Sequence, residues 1–267
     1  MDRRPIGVFD SGLGGLTAVS EIMRILPGED IIYLGDTARV PYGTRSESTI
    51  IRYTRENIEF LRSFNIKALL MACGTVSSVS LPVIKDEYDL PIIGVVSPAA
   101  ERAVRETKNG KIGIIGTGAT IKSCSYEREI ISLLPTAKLY TKACPLFVPL
   151  VENGRVDEDD AVLTTVAAEY LEPIRKEGVD TLVMGCTHYP IIEKVIAKIM
   201  GDGVTLINPG LEGARYLRDS GCISFCGKDA GEHRFFVSDD REGFAEHASK
   251  FLGRKLCGKV SLAVTEG

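Results

Sequence analysis

Only three histidines, His188, His233 and His247, occur in 267 residues, and no Cys/His pairs have the spacing of a zinc site. Cys222-x-x-x-Cys226 lacks a second ligand pair, so no metal centre is expected. None of the seven cysteines forms a Cys-x-x-Cys, which removes the usual signature of a thiol redox protein. Their odd number and irregular spacing argue against a disulfide framework and for a reduced, cytoplasmic setting. No G-x-x-x-x-G-K-[ST] is present. The Gly-rich turns also miss the dinucleotide pattern, whose last glycine would fall at Thr17 or at Ile121. No apolar run is long enough to span a membrane, and Met1–Pro5 leads into a strand-like segment without a secretory apolar core. A net charge of −4 argues against nucleic acid or an anionic membrane as partner.

What is present is an alternation of strand-like and helix-like runs. Ile6–Phe9 and Ile31–Leu34 read as strands, with a helix from about Leu16 to Ile25 between them. A second helix is expected from Ser48 to about Phe64, with Thr44-x-x-Glu47 as a capping box. A third is expected from about Glu158 to Lys176, capped by Asp157 and stopped at Gly178. Val162, Leu163, Val166, Tyr170, Leu171 and Ile174 would form its buried stripe, and Pro173 predicts a kink or local irregularity. Such βα alternation implies parallel sheets covered by helices.

Two cysteines close matching runs: Leu69-Leu70-Met71-Ala72-Cys73 and Leu182-Val183-Met184-Gly185-Cys186. Both thiols should emerge at the carboxyl end of a buried strand, where open α/β sheets bind ligands. Three further pairs keep the same order. Ile6-Gly7-Val8-Phe9-Asp10 resembles Ile112-Gly113-Ile114-Ile115-Gly116 (offset 106), Val40-Pro41 parallels Val148-Pro149 (offset 108), and Ser97-Pro98 parallels Asn208-Pro209 (offset 111), while the cysteines stand 113 apart. Four ordered anchors argue for a duplicated unit; chance likeness among strand ends is the alternative. The expected fold is therefore α/β, with two pseudo-symmetric domains on parallel or mixed sheets, and the two thiol-bearing edges are expected to face one ligand. The second half has no quota left for strands beyond Ile207, so the chain is expected to return. That gives residues 1–97 plus 208–267 as one domain and 98–207 as the other, with the tail from Arg254 to Gly267 expected to fray.

A free thiol titrates around pH 8.5, close enough to neutral to serve as acid or base once tuned. Asp10 ends a strand on the same edge as Cys73, and His188 lies two residues after Cys186. One thiolate and one thiol on opposite faces of a carbon could remove a proton from one side and return one to the other. Taken singly, the neighbouring residues read differently. Asp10 is as good a helix cap as a catalytic group, Pro41-Tyr42-Gly43 is a turn, Thr117 and Thr120 are caps, and Glu152 is a surface acid.

Together, Phe9-Asp10-Ser11-Gly12-x-Gly14-Gly15-Leu16-Thr17, Gly35-Asp36-x4-Pro41-Tyr42-Gly43, Ala72-Cys73-x-Thr75 and Gly185-Cys186-Thr187-His188-Tyr189-Pro190 resemble the motifs of bacterial glutamate racemases, cofactor-independent members of the aspartate/glutamate racemase family. The likeness runs from about residue 6 to residue 244. It implies two domains with the active site between them, interconverting L- and D-glutamate and supplying D-glutamate for peptidoglycan, in a homodimer. By the same resemblance Cys73 would take the α-proton from D-glutamate and Cys186 from L-glutamate, assisted by Asp10 and His188. Ser11, Thr75 and Thr187 would hold the α-amino and α-carboxylate groups. Pro41, Tyr42 and Gly43 would form the turn whose backbone receives the distal carboxylate, and Thr117, Thr120 and Glu152 would line the pocket.

Two positions depart from the family pattern. Gly74 stands where Asn is usual, which removes a side-chain amide and frees the backbone for closer approach. Asn208 stands where an acidic residue is more often expected. Gly74 keeps open a racemase for another acidic amino acid. A two-lobed protein that binds a dicarboxylate without chemistry is the reading from a different class.

Overall fold

The apolar runs that precede the two cysteines form strands buried along their whole length. A parallel sheet covered on both faces by helices requires this. The computed structural model describes residues 1–256 and 259–263. Its strands are β1 (Ile6–Asp10), β2 (Ile31–Gly35), β3 (Ala68–Met71), β4 (Ile92–Gly94), β5 (Lys111–Gly116), β6 (Lys138–Ala143), β7 (Thr181–Gly185), β8 (Thr205–Ile207), β9 (His233–Val237) and β10 (Val260–Leu262). They form a six-stranded sheet ordered β10-β9-β2-β1-β3-β4 and a four-stranded sheet ordered β6-β5-β7-β8. Every described pairing is parallel. The order β2-β1-β3-β4 recurs as β6-β5-β7-β8, so the likeness between the two halves of the sequence is a likeness of sheet topology.

After β8 the chain contributes β9 and β10 to the first sheet, where β9 pairs with β2 and β10 with β9. The expected fraying from Arg254 onward is therefore corrected at Val260–Leu262. Val260 is buried there and Leu262 exposed, too few residues for a period to be visible in the sequence. Positions 257, 258 and 264–267 of that tail lie outside the described residues.

The helix Leu16–Ile25 forms as read. The next runs from Glu47 to Arg62 and is capped by Ser46, whose Oγ accepts from Thr49 N at 3.3 Å. Thr44 is not the cap, because it belongs to a separate single turn, Tyr42–Thr44. The helix Ala161–Lys176 is capped by Asp160, not Asp157; its Oδ1 accepts from Leu163 N at 2.8 Å. Four consecutive acids offer four possible starts, and Arg155, 2.9 Å from Asp160, favours the last of them. The helix continues through Pro173 and ends before Gly178, which has φ +72°. Leu163, Ala167, Tyr170, Leu171 and Ile174 form its buried face, whereas Val162 is exposed.

At the amino end of the first sheet Lys67 and Glu29 form a buried ion pair. Lys67 Nζ also donates to the carbonyls of Asp2 and Ser224, each at 3.0 Å, and Cys226 N donates to Glu29 Oε1 at 2.6 Å. This knot fastens the returning segment beneath the sheet, opposite the strand ends that carry the thiols. Among the described residues no helix is long and apolar enough to cross a membrane.

Candidate active site

Cys73 follows β3 and precedes the helix Gly74–Val79. Cys186 follows β7, which occupies in the second sheet the place β3 has in the first. Equivalent strand ends thus deliver both thiols to one cavity of about 300 Å³, a volume suited to a small ligand. Ser11, Pro41, Tyr42, Gly43, Gly74, Thr75, Thr117, Glu152, Thr187 and His188 line the same cavity. Asp10 and Thr120 stand behind its wall, both buried. Thr120 was expected on the wall. Instead its hydroxyl backs Thr117 Oγ1 at 3.0 Å, because Thr117 caps the short helix that Thr120 sits in.

The two thiols have different surroundings. Cys73 Sγ lies 3.5 Å from Ser11 Oγ. Burial, together with the nearby Asp10 carboxylate, pushes this thiol up to about 12. Asp10 accepts from Gly12 N at 3.0 Å and from Thr187 Oγ1 at 3.3 Å. Burial nonetheless raises its carboxyl above the ordinary range, against the downward pull of His188 and these bonds. Gly15, not Asp10, stands at the N-cap of the helix Leu16–Ile25, so the capping reading of Asp10 falls away.

Cys186 Sγ lies 3.9 Å from His188 Nδ1, and His188 Nε2 lies 3.0 Å from Glu152 Oε1. Burial acts to lower the imidazole, yet its bonds to Cys186 and Glu152 outweigh that and raise it from 6.5 to about 10. The raised value favours the imidazolium form of His188, whose two ring nitrogens face a sulfur and a carboxylate.

A buried polar network holds the turn at Pro41-Tyr42-Gly43. Tyr42 OH donates to Asp36 Oδ2, Asn57 Nδ2 donates to the same oxygen at 3.2 Å, and Arg39 Nε donates to it at 2.7 Å. Ser238, at the end of β9, donates to Asp36 Oδ1 at 2.8 Å. With its hydroxyl engaged by Asp36, Tyr42 is held in the turn that lines the cavity. Across the cavity Thr75 Oγ1 meets Thr117 Oγ1 at 3.0 Å, and Thr17 Oγ1 donates to the Thr187 carbonyl at 2.9 Å. Asn208 is accounted for locally: its Oδ1 accepts from Gly210 N at 3.0 Å and Leu211 N at 3.3 Å, capping the helix Pro209–Asp219.

The family model for Asp/Glu/hydantoin racemases matches residues 9–217. The chain belongs to this family. A glutamate racemase of Geobacter metallireducens is 45% identical over 259 residues, covering 96% of this chain and 95% of that protein. Among solved structures, a glutamate racemase isoform from Bacillus anthracis matches with a TM-score of 0.92 at 39% identity, covering 98% of both chains. The glutamate racemase of Francisella tularensis, solved in complex with D-glutamate, gives 0.90 at 35% identity, covering 100% of this chain and 99% of that one. The two-sheet α/β architecture is thus the architecture of the family.

Sequence reading missed part of this racemase-family cavity. Gly12, Val40, Thr44, Gly118, Cys144, Pro145, Val148, Pro149 and Gly185 also line it. Cys144 follows β6 as Asp36 follows β2, an offset of 108 (144 minus 36). The same offset joins Val40-Pro41 to Val148-Pro149, so the repeat already held the signal. Those two pairs differ locally, however. Val40-Pro41 lies between two single turns, and Val148-Pro149 lies inside the helix Phe147–Glu152. Cys144 is buried, and its burial pushes the thiol up to about 12.

Proposed function

We propose that this chain racemises glutamate without a cofactor, by proton transfer between Cys73 and Cys186 across the substrate α-carbon. The observation that carries the reading is the delivery of two thiols to one cavity from equivalent strand ends, each with its own proton partner. One sulfur, as thiolate, takes the α-proton. The electron pair of the broken C–H bond is held as a carbanion delocalised into the α-carboxylate. The opposite thiol then delivers its proton to the other face and is left as thiolate. Atoms and charge balance, and the product is the mirror image.

Cys186 is the base toward L-glutamate and Cys73 toward D-glutamate. His188 serves Cys186 and Asp10 serves Cys73, each holding or returning a proton at its own sulfur. Ser11, Thr75 and Thr187 hold the α-amino and α-carboxylate groups, and the backbone of Tyr42 and Gly43 receives the distal carboxylate. Thr117 and Glu152 complete the wall, with Thr120 supporting Thr117. Preorganised donors of this kind stabilise the developing negative charge, which water would otherwise have to reorganise to meet.

We assign the cavity to the junction of two domains, residues 1–97 with 208–267 and residues 98–207. The setting is cytoplasmic, the assembly a homodimer, and the role the supply of D-glutamate for peptidoglycan. Glutamate is favoured over other acidic amino acids by the names of the relatives most similar over their full length. The test is incubation with L- or D-glutamate in deuterium oxide without added cofactor, following circular dichroism and α-deuteration by NMR. Wild type should racemise both enantiomers and deuterate the α-position. Cys73→Ala and Cys186→Ala should each lower the rate by about a hundredfold or more, the usual scale of general acid–base catalysis. Binding without deuteration would refute the proposal in favour of the non-catalytic reading.

A further inference from the structure

Gly74 is the first residue of the helix Gly74–Val79 and does not have a positive φ. Its backbone conformation therefore does not call for glycine; the space around it does. A Cβ built on Gly74 would overlap the carbonyl oxygen of Gly185 and lie 3.2 Å from its carbonyl carbon and 3.8 Å from Cys186 N. The obstacle is backbone, which cannot rotate aside as a side chain could. Nor can Gly185 withdraw into its own sheet. It is paired beside Gly116, and a Cβ on Gly185 would itself lie 2.7 Å from the Ile115 carbonyl oxygen and 3.2 Å from Tyr126 Cε2.

The residue before Gly74 is Cys73 and the residue after Gly185 is Cys186. A close backbone approach between the two units thus falls directly beside both sulfur-bearing residues. The helix that begins at Gly74 is seated on the opposite unit at two further points. Thr75 meets Thr117 at 3.0 Å, and Ser125 Oγ donates to the Ser78 carbonyl at 2.7 Å. Any group added at position 74 must lift this seat and move Cys73 away from Cys186.

We propose that Gly74 is a positioning residue that sets the separation of the two thiols, so that this chain works with a cleft too narrow for a side chain at that position. The inference rests on the two-thiol reading above. It concerns the distance a proton must travel, and a displacement of about 1 Å in a proton-transfer site can cost about a hundredfold in rate.

The experiment compares wild type with Gly74→Ala and Gly74→Asn. Steady-state rates are measured with both enantiomers, and the isotope effect on kcat with α-deuterated glutamate. Both variants should lose about tenfold to a hundredfold in kcat/KM, with kcat carrying most of the loss. The isotope effect should rise as proton transfer becomes the slow step. Far-ultraviolet circular dichroism should be unchanged. The Asn variant is informative because it returns a side-chain amide to the cavity. If it matches or exceeds wild type, a missing donor and not the spacing was the issue, and the inference is overturned. It is equally overturned if Gly74→Ala leaves kcat and the isotope effect unchanged. Should the position 74 variants fail to fold, Ser125→Val crowds the same seat one helical turn further along. It should lower kcat in the same direction by a smaller factor, and no change would overturn the inference. Cys73→Ala and Cys186→Ala, run alongside, separate the two failures. If they remain active, the two-thiol reading is wrong; if they are inactive while the position 74 and 125 variants behave as wild type, only the spacing role is.

Discussion

Glu152→Gln isolates one element of the site, the negative charge behind His188. Gln keeps the length of the side chain and an oxygen that can accept from Nε2 at the present 3.0 Å. Only the charge assistance is lost. A hydrogen bond to an ionised partner is worth about 1.5–3 kcal/mol and a neutral one about half that, a difference near 1–1.5 kcal/mol. The Glu152 side chain is 38% exposed, so solvent screening reduces this to about 1 kcal/mol. That corresponds to about fivefold in the imidazolium-to-imidazole ratio, or about 0.7 of a pH unit.

The sign follows from the direction of the perturbation. His188 is raised from 6.5 to about 10, so its charged form is complete below the ordinary value and is lost as pH rises through about 10. The basic limb of kcat/KM should therefore fall at lower pH in Glu152→Gln than in wild type. The assay is kcat/KM for both enantiomers across the alkaline range, with the His188 imidazole followed by NMR. Because L- and D-glutamate have equal free energy, kcat/KM must be equal in both directions at every pH, which provides an internal check. A basic limb and a His188 titration that both stay where wild type has them would refute the reasoning. A loss uniform across pH would also refute it, since Glu152 would then act on the substrate directly and not through His188.

The remaining predictions concern stability. Lys67→Met leaves the Glu29 carboxylate buried without its partner and should cost about 3–5 kcal/mol in urea denaturation; a loss under about 1 kcal/mol would show that the knot holds without the ion pair. Pairing Lys67→Met with Glu29→Gln should recover part of that loss. Asp160→Ala removes the cap of the helix Ala161–Lys176 and should cost about 1 kcal/mol, lowering Tm by about 2–4 °C with kcat/KM unchanged. Asp157→Ala should leave Tm where it is, and a reversal of these two results would restore the earlier start for that helix.

The parts of this fold that were legible in the sequence are those written as patterns within one segment. The runs ending at Cys73 and Cys186, the Gly-rich turn after Phe9 and the order of the anchors all bear on strand ends, and parallel strands buried on both faces leave a strong apolar signature. Helix starts were less legible. Ser46 and Asp160 each stand within three residues of another good capping residue, and tertiary contacts such as Arg155 with Asp160 decide among them. The strand Val260–Leu262 was invisible because three residues carry no period, and its pairing with β9 is settled by the rest of the sheet. The partnership of Glu152 with His188 spans 36 residues, across an intervening helix and strand. Nothing local to Glu152 distinguishes it from a surface acid. Cys144 was within reach, because the duplication that aligned Val40 with Val148 also aligns Asp36 with Cys144.

That duplication explains how one fold can bring two thiols to one cavity from equivalent strand ends, and its imperfection explains how their surroundings come to differ. Repeated β-strand order places Cys73 and Cys186 at equivalent strand ends, so their meeting at one cavity is a consequence of topology. The partners are not repeated. Cys73 has a buried carboxylate nearby and a serine hydroxyl at 3.5 Å, and its thiol is pushed up to about 12. Cys186 has an imidazolium backed by a carboxylate. The raised Cys73 thiol favours its protonated form, and in the proposed mechanism Cys186 is the sulfur that accepts a proton from L-glutamate. Two enantiomers of equal free energy forbid any net preference in kcat/KM. The asymmetry of the site must therefore divide between kcat and KM, raising or lowering both together for one enantiomer relative to the other. Unequal partners leave the equilibrium untouched and determine only which enantiomer is bound longer on the way through.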